Sequence, residues 1–284
     1  MSQQRSSSNY ITSKSRFYDE IADDYEKEIV YESAFYYEHY KAIADFLARY
    51  LVKNNSRILK ILDIGCGSGF WSNILREMGY EVVGIDISSR SVEKASSKGL
   101  AVMVGDAENI SIREESFDAA IALASVINHL DHLDKFFRDV NLVLKRGGYL
   151  IFDFDSSWSI DNLYEALIYR NHNSREIIKS FISFRALRKG YKIYWDLGRI
   201  YINVYSLFEI FSLLKRNGFS IRYYEPIHMF SSIIPVRVQE ETKNQKIRRI
   251  IDILHRLDDK TKKILRFFVT PFTVSYIVLA QKIT

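Results

Sequence analysis

The sequence predicts an α/β fold organised on a doubly wound parallel sheet, and three observations carry that prediction. Over residues 58–155, apolar runs of strand length alternate with segments of helical spacing. The first run ends in Asp63 and is followed by glycines at positions 65, 67 and 69. Asp86 and Asp106 then stand at or just after the ends of the second and third runs, with Asn128 after the fourth. One acid closing a buried strand is easily chance. Three in succession mark the carboxyl edge, where the ligands of such sheets collect.

In chain order, residues 1–15 are rich in Ser, Gln and Asn and are expected to be disordered. Over 17–50, Phe17, Ile21, Tyr25, Phe35, Ile43, Phe46, Leu47 and Tyr50 recur at helical spacing and predict two helices. A strand is expected at 58–64, a helix at about 70–78 stopped by Gly79, and a second strand at 81–86. Ser88 is placed to cap a helix ending near Gly99. Strands at 100–104 and 117–123 follow, then a helix over roughly 133–144. Gly147-Gly148 turns into a fifth strand at 149–154. Strands that alternate with helices imply right-handed parallel crossovers.

After Asp155 the pattern changes. Residues 161–188 read as helical, and 191–195 with 199–205 read as a hairpin around 196–198. A helix at 207–215, a strand from 220 and a last strand at 274–282 complete the prediction. Between them, 240–268 is basic and amphipathic, with Ile247, Ile250, Ile251, Leu254 and Leu257 on one face. That face is expected to pack on the sheet, leaving Lys246, Arg248, Arg249 and Arg256 in water. The alternative is contact with an anionic membrane surface.

Composition excludes several classes. With 47% hydrophobic and 26% charged residues, the chain is globular in type. Its one cysteine, Cys66, rules out an internal disulfide and a cysteine-rich zinc site, and makes a reducing compartment the default. A net charge of +5 is mild for 284 residues, and no nucleic-acid partner is expected without a clustered basic stripe. No apolar run approaches the ~18 residues of a membrane span, and residues 1–15 lack a signal-peptide core. A cytoplasmic location is expected. His132, His172, His228 and His255 show no metal-ligand spacing, so no metal is expected.

The glycine turn discriminates among ligands. A dinucleotide fingerprint wants a third glycine where Phe70 stands, and a P-loop wants a lysine that is missing between Lys60 and Lys94. Asp63, two residues before Gly65, repels a pyrophosphate and suits an ammonium. Asp86 is placed for a ribose diol and Asp106 for an adenine amine. A ligand with an amino group, a ribose and an adenine, but no phosphate, is S-adenosylmethionine.

The motifs Leu62-Asp63-Ile64-Gly65-Cys66-Gly67-Ser68-Gly69, Val83-Gly84-Ile85-Asp86-Ile87-Ser88, Gly105-Asp106-Ala107, Phe117-Asp118 and Leu144-Lys145-Arg146-Gly147-Gly148-Tyr149-Leu150 recur together in one known family. With the lead-in Phe17-Tyr18-Asp19-Glu20-Ile21-Ala22-Asp23-Asp24-Tyr25, residues 17–155 resemble a class I S-adenosylmethionine-dependent methyltransferase of the type 11 kind. The resemblance implies a Rossmann-like seven-stranded sheet, mostly parallel with an antiparallel last strand, and a helical and hairpin insertion over the substrate pocket. It implies one methyltransferase domain over 16–284: lid helices at 16–57, a cofactor-binding core at 58–155, a substrate cap at 156–206, and a C-terminal part at 207–284 carrying the basic insertion. The implied cofactor is S-adenosylmethionine and its product S-adenosylhomocysteine. Gly65, Cys66, Gly67 and Gly69 would cradle the methionine end with Asp63 at its ammonium. Asp86 and Ile87 would take the ribose and adenine side, Asp106 and Ala107 the adenine edge, and Leu123 and Ala124 the methionine chain. Tyr18 and Tyr25 would line the lid, although their spacing also serves simple packing.

Methyl transfer from a sulfonium needs alignment, exclusion of water, and a base only when the nucleophile arrives protonated. His129, just past the fourth strand, is the candidate to orient or deprotonate the acceptor; capping of the next helix is the other use for it. Asn128, Asp153, Asp155, Tyr201 and Tyr205 are further pocket candidates. Aromatics crowd the insertion: Trp158, Tyr164, Tyr169, Phe181, Phe184, Tyr191, Tyr194 and Trp195. They point to a small apolar or aromatic acceptor, methylated on nitrogen or oxygen. A membrane-associated quinone or lipid-linked acceptor is the alternative. A nicotinamide-dependent oxidoreductase and a non-catalytic cofactor-binding scaffold are the readings from other classes.

Overall fold

A computed structural model describes residues 14–22, 33–51, 59–169, 173–195, 200–266 and 272–283. Helix α1 (14–21) and helix α2 (Ala34–Tyr50) precede strand β1 (Lys60–Ile64). Then follow α3 (Phe70–Glu77), β2 (Glu81–Asp86), α4 (Ser89–Ser97), β3 (Ala101–Val104), β4 (Phe117–Ala122), α5 (Leu133–Val143) and β5 (Leu144–Asp155). The boundaries fall where the local chemistry sets them. Gly69 and Gly79 adopt left-handed φ of 87° and 93° on either side of α3, and Ser88 accepts the N–H of Ser91 at the start of α4. Lys14 and Ser15, assigned by composition to a disordered tail, instead open α1.

The second half adds α6 (Ile160–Tyr164), which runs on as a π-helical turn, then α7 (Ser174–Ile182) and α8 (Arg185–Arg188). Strands β6 (Tyr191–Trp195) and β7 (Ile200–Val204) form the antiparallel hairpin that the sequence predicts. Helix α9 (Leu207–Arg216), β8 (Phe219–Ile227), α10 (Val236–Glu241), α11 (Gln245–Leu265) and β9 (Ser275–Lys282) complete the chain.

Seven strands form one sheet in the order β3-β2-β1-β4-β5-β9-β8. Pairings among β1 to β5 are parallel, whereas β9 runs antiparallel to both β5 and β8. This is the Rossmann-like arrangement that the sequence implies. One face of the sheet buries Phe136, Phe137, Phe152, Phe154 and Leu214 beneath α5 and α9. The other buries Ile43, Phe46 and Leu47 of α2 and Trp71 and Leu75 of α3 against Ile61, Ile121, Ile151 and Ile277. Each such side chain contributes roughly 1.5–3 kcal/mol on burial, so α2 is bound to the sheet by its apolar stripe. The two faces leave only the strand ends free for chemistry.

One expectation about faces does not hold. In α11 the inward residues are Ile251, His255, Asp258 and Lys262, a largely polar stripe, while Ile250 and Leu257 are exposed together with Ile253 and Ile264. Ion pairing draws the polar face inward: Lys262 approaches the buried Glu225 of β8 at 3.8 Å. Among the described aromatic residues of the insertion, Trp158 stacks on Phe181 at 4.7 Å and joins Ile177, Ala186 and Tyr191 in a separate small core, while Tyr169 and Trp195 have side chains outside the described residues.

Candidate active site

The carboxyl ends of β1, β2 and β4 and the start of α1 enclose one cavity. Its floor is the turn after β1, where Gly65 and Gly67 take φ of 70° and 53°. Gly65 and Cys66 donate their N–H groups to the carbonyl of Ile85, which ties the turn to β2. Close approach requires a glycine at 65, because a Cβ there would lie 2.6 Å from Val126 Cγ2. Asp86 ends β2 with both carboxylate oxygens engaged, accepting the N–H of Gly67 at 2.8 Å and of Ser88 at 2.8 Å. Loss of hydration raises its pKa, and those two N–H donors oppose the rise.

Helix α1 closes the cavity through side chains that reach across the chain. Asp19 accepts from Ser88 Oγ at 2.7 Å and from the N–H of Arg90, and Ser15 Oγ donates to the carbonyl of Ile87. Lys14 Nζ donates to the carbonyl of His129 at 2.6 Å and to Asp131. Tyr18 Oη lies 2.6 Å from His129 Nδ1, and both residues face the cavity. Desolvation, with the Lys14 charge adding to it, lowers His129 to about 4, so the imidazole is neutral at physiological pH.

A second cavity adjoins the first and shares Tyr40, Ala124 and His129 with it. Between them the chain turns sharply, and Ala124 and Ser125 both take left-handed φ, of 63° and 59°. The Ser125 N–H donates to Asp153, whose carboxylate also meets His39 Nε2 at 3.1 Å. Asp155 and Asp161 are set in the wall of this second cavity, with Phe35, Tyr36, Ile193 and Ile202. Asp155 accepts from Ser275 Oγ at 2.8 Å, and Asp161 accepts the N–H of Val236 at 2.9 Å. Desolvation raises both, Asp161 to about 6, with the charge of Asp155 contributing to the rise at Asp161.

Most residues singled out from the sequence meet at the first cavity: Tyr18, Gly65, Cys66, Gly67, Asp86, Ile87, Asp106, Ala107, Leu123, Ala124 and His129. Tyr25 lies outside the described residues. Asp63 is beneath the turn rather than on the cavity wall, 1% exposed and accepting from Ser72 Oγ at 2.6 Å. Gly69 is also behind the wall, where an added Cβ would meet Leu100 Cδ1 at 2.2 Å, so packing accounts for that glycine. Asn128 and Tyr201 are not pocket residues. Asn128 is fully buried and clamps the carbonyl of Asn203 and the N–H of Asp155, whereas Tyr201 is 51% exposed on the hairpin against Tyr194. Asp153 stands one layer behind the second cavity, reaching it through His39. Tyr205 is buried, donating to the carbonyl of Leu130. His39, Asp161 and Ser159 escaped sequence reading; the Ser159-x-Asp161 cap of α6 was the available signal.

Residues 62–152 match a family described as methyltransferase domain. An uncharacterized protein of Methanocaldococcus jannaschii is 30% identical over 212 residues, covering 73% of this chain and 76% of that one. The chain belongs to the class I S-adenosylmethionine-dependent methyltransferases. Ubiquinone biosynthesis O-methyltransferase of Azorhizobium caulinodans is 35% identical over 99 residues, 33% of this chain and 36% of its own length. Among solved structures, magnesium protoporphyrin IX methyltransferase from Synechocystis PCC 6803 with bound SAH has a TM-score of 0.57 at 16% identity, over 95% of this chain and 99% of that one. Its likeness is in the fold.

The first cavity suits the methyltransferase cofactor on its own chemistry. It offers the backbone of a glycine turn, one carboxylate at the end of β2, and the apolar edge of Ile87. Lys14, the cation on its wall, is already engaged by His129 and Asp131 rather than offered to a phosphate.

Proposed function

We propose that this methyltransferase acts on the nitrogen of a small basic acceptor held in the second cavity. The observation that carries the reading is the pair of carboxylates, Asp155 and Asp161, in a wall that adjoins the cofactor side through His129. Two acids with raised pKa values, in a wall whose bases among the described residues are the imidazoles of His39 and His129, favour a cation between them. Phe35, Tyr36, Ile193 and Ile202 suit an apolar or aromatic body on the same molecule.

S-adenosylmethionine supplies a methyl group made electrophilic by its sulfonium. The protein has to hold the amine in line, exclude water and take the proton that an ammonium carries. Asp161, at about 6, is the stronger base of the candidates, because His129 is held at about 4. Tyr18 Oη and His129 Nδ1 share one hydrogen bond, which fixes the plane of the imidazole at the junction of the two cavities. His129 therefore positions the acceptor rather than deprotonating it.

A labelled-methyl screen tests this. Primary and secondary amines with an apolar body should accept the label, and Asp161→Asn should reduce kcat more than KM while cofactor binding persists. Methylation of phenols or carboxylates with no transfer to amines would sink the amine reading. Full turnover in His129→Ala would remove His129 from any role.

A second reading is favoured by α11. Its outer face carries Ile250, Ile253, Leu257 and Ile264, between 39% and 69% exposed, with Lys246, Arg249, Arg256 and Lys263 nearby. Such a face suits an anionic lipid surface and a membrane-borne acceptor. Among the described residues no helix is long and apolar enough to cross a membrane. Co-sedimentation with phosphatidylserine vesicles should fall when Ile253 and Ile264 become serine; equal binding at low salt by the variant would discard this reading.

A further inference from the structure

The polar inner face of α11 has an explanation in its own chemistry. His255 and Asp258 are three residues apart on that helix and so point the same way, toward His228, which follows β8. One ligand-type atom from each of His228, His255 and Asp258 lies within 4.8 Å of the others. We propose that these three side chains form a binding site for a transition-metal dication of the zinc type, pinning α11 to the end of β8.

Two observations carry it. First, Nε2 of His228 and Nε2 of His255 are both buried and have no hydrogen-bond partner among the described residues, at 3% and 6% residue exposure. Buried imidazole nitrogens are rarely left so, and here the two rings that carry them meet edge to face. Second, His228 holds a left-handed φ of 57°, which a non-glycine residue adopts only when its surroundings impose it. Asp258 imposes it, accepting the N–H groups of Met229, Phe230 and Ser231 and the Ser231 hydroxyl. That network aims the His228 ring at α11, with ring centroids 5.2 Å apart and planes at 73° to His255.

Two imidazoles and a carboxylate are a zinc-type donor set with one position left for water. A tetrahedral ion draws its ligand atoms to about 3.3 Å from one another, so the cluster contracts on loading. The two longest bonds to Asp258, from Met229 at 3.1 Å and Ser231 at 3.2 Å, are the ones that yield. His228 also stacks on His39 at 5.5 Å, and His39 is in the wall of the acceptor cavity. The ion thus braces that wall from behind, with no part in methyl transfer.

The test uses the full chain without an affinity tag, stripped with a chelator and titrated with Zn²⁺ or Co²⁺. One equivalent per chain should bind, Co²⁺ should develop visible absorption bands, and the melting temperature should rise and fall back with chelator. His255→Ala should weaken binding by more than about tenfold while S-adenosylmethionine binding persists. His132→Ala, at an exposed histidine elsewhere, should change nothing. Because His228→Ala disturbs a strained turn, the His255 variant carries the decision. Failure of Zn²⁺ and Co²⁺ to bind stoichiometrically, or binding unchanged in His255→Ala, overturns the proposal; a bridging water between the two rings would then account for them.

Discussion

At the scale of single residues, the two acids of the glycine turn make opposite demands. Asp86 accepts two backbone N–H groups and faces the cavity, so Asp86→Asn turns an amide toward one of those donors. Cofactor affinity should weaken at least tenfold, about 1.4 kcal/mol, by titration calorimetry. Asp63 is different: burial, reinforced by the charge of Asp86, raises its carboxyl to about 7, while Ser72 pulls it down. The folded chain therefore holds a proton that the unfolded chain has already lost above pH ~4. Stability from this group is full below that pH and is lost as pH rises toward 7. Asp63→Asn mimics the protonated acid, so the variant should gain on the parent by about 2–4 kcal/mol between about pH 5 and about pH 8 in thermal melts. A constant difference across that range would contradict the assignment.

At the scale of elements, the glycine turn and the turn after β4 are one packed unit. Gly65→Ala places its Cβ against Val126 in a left-handed conformation, whereas an added Cβ at Gly67 meets nothing within 4 Å. Denaturant melts should show about 1–2 kcal/mol lost in Gly67→Ala and about 2–4 kcal/mol in Gly65→Ala. Val126→Ala should restore part of the second loss only. The strands and helices of residues 58–155 were readable because each buried run ends in a glycine, a cap or an acid with a local reason to be there. Helix α11 was not. Two stripes at helical spacing run along it, and periodicity favoured the one containing Ile250 and Leu257. The inward stripe of His255, Asp258 and Lys262 resembles a solvated face until Glu225 and His228 are known to lie opposite. The acceptor cavity was hidden for a related reason. Its walls come from α2, the β4 turn, the end of β5, α6, the β6–β7 hairpin, α10 and the start of β9, and no local pattern joins His39 to Asp161.

At the scale of the molecule, α2, β8 and α11 are held together by a recessed charge cluster. Arg49 forks onto Glu225 at 3.0 and 2.5 Å, and Glu225 is fully buried. Removal of the guanidinium leaves that carboxylate, among the described residues, with the more distant Lys262 as its cation, so Arg49→Ala should destabilise the chain by about 3 kcal/mol. The double variant Arg49→Leu with Glu225→Leu should recover most of it, as read from denaturant midpoints. The sheet has a further consequence, for synthesis. Asp155 of β5 and Ser275 of β9 are partners separated by 120 residues. Until β9 arrives, β5 is an open edge carrying Phe152 and Phe154, a surface prone to join other chains. At ~5–20 residues per second, the intervening 120 residues take about 6–24 seconds to be made. For that interval the nascent chain has to be shielded, and the speed of translation through its second half sets how long.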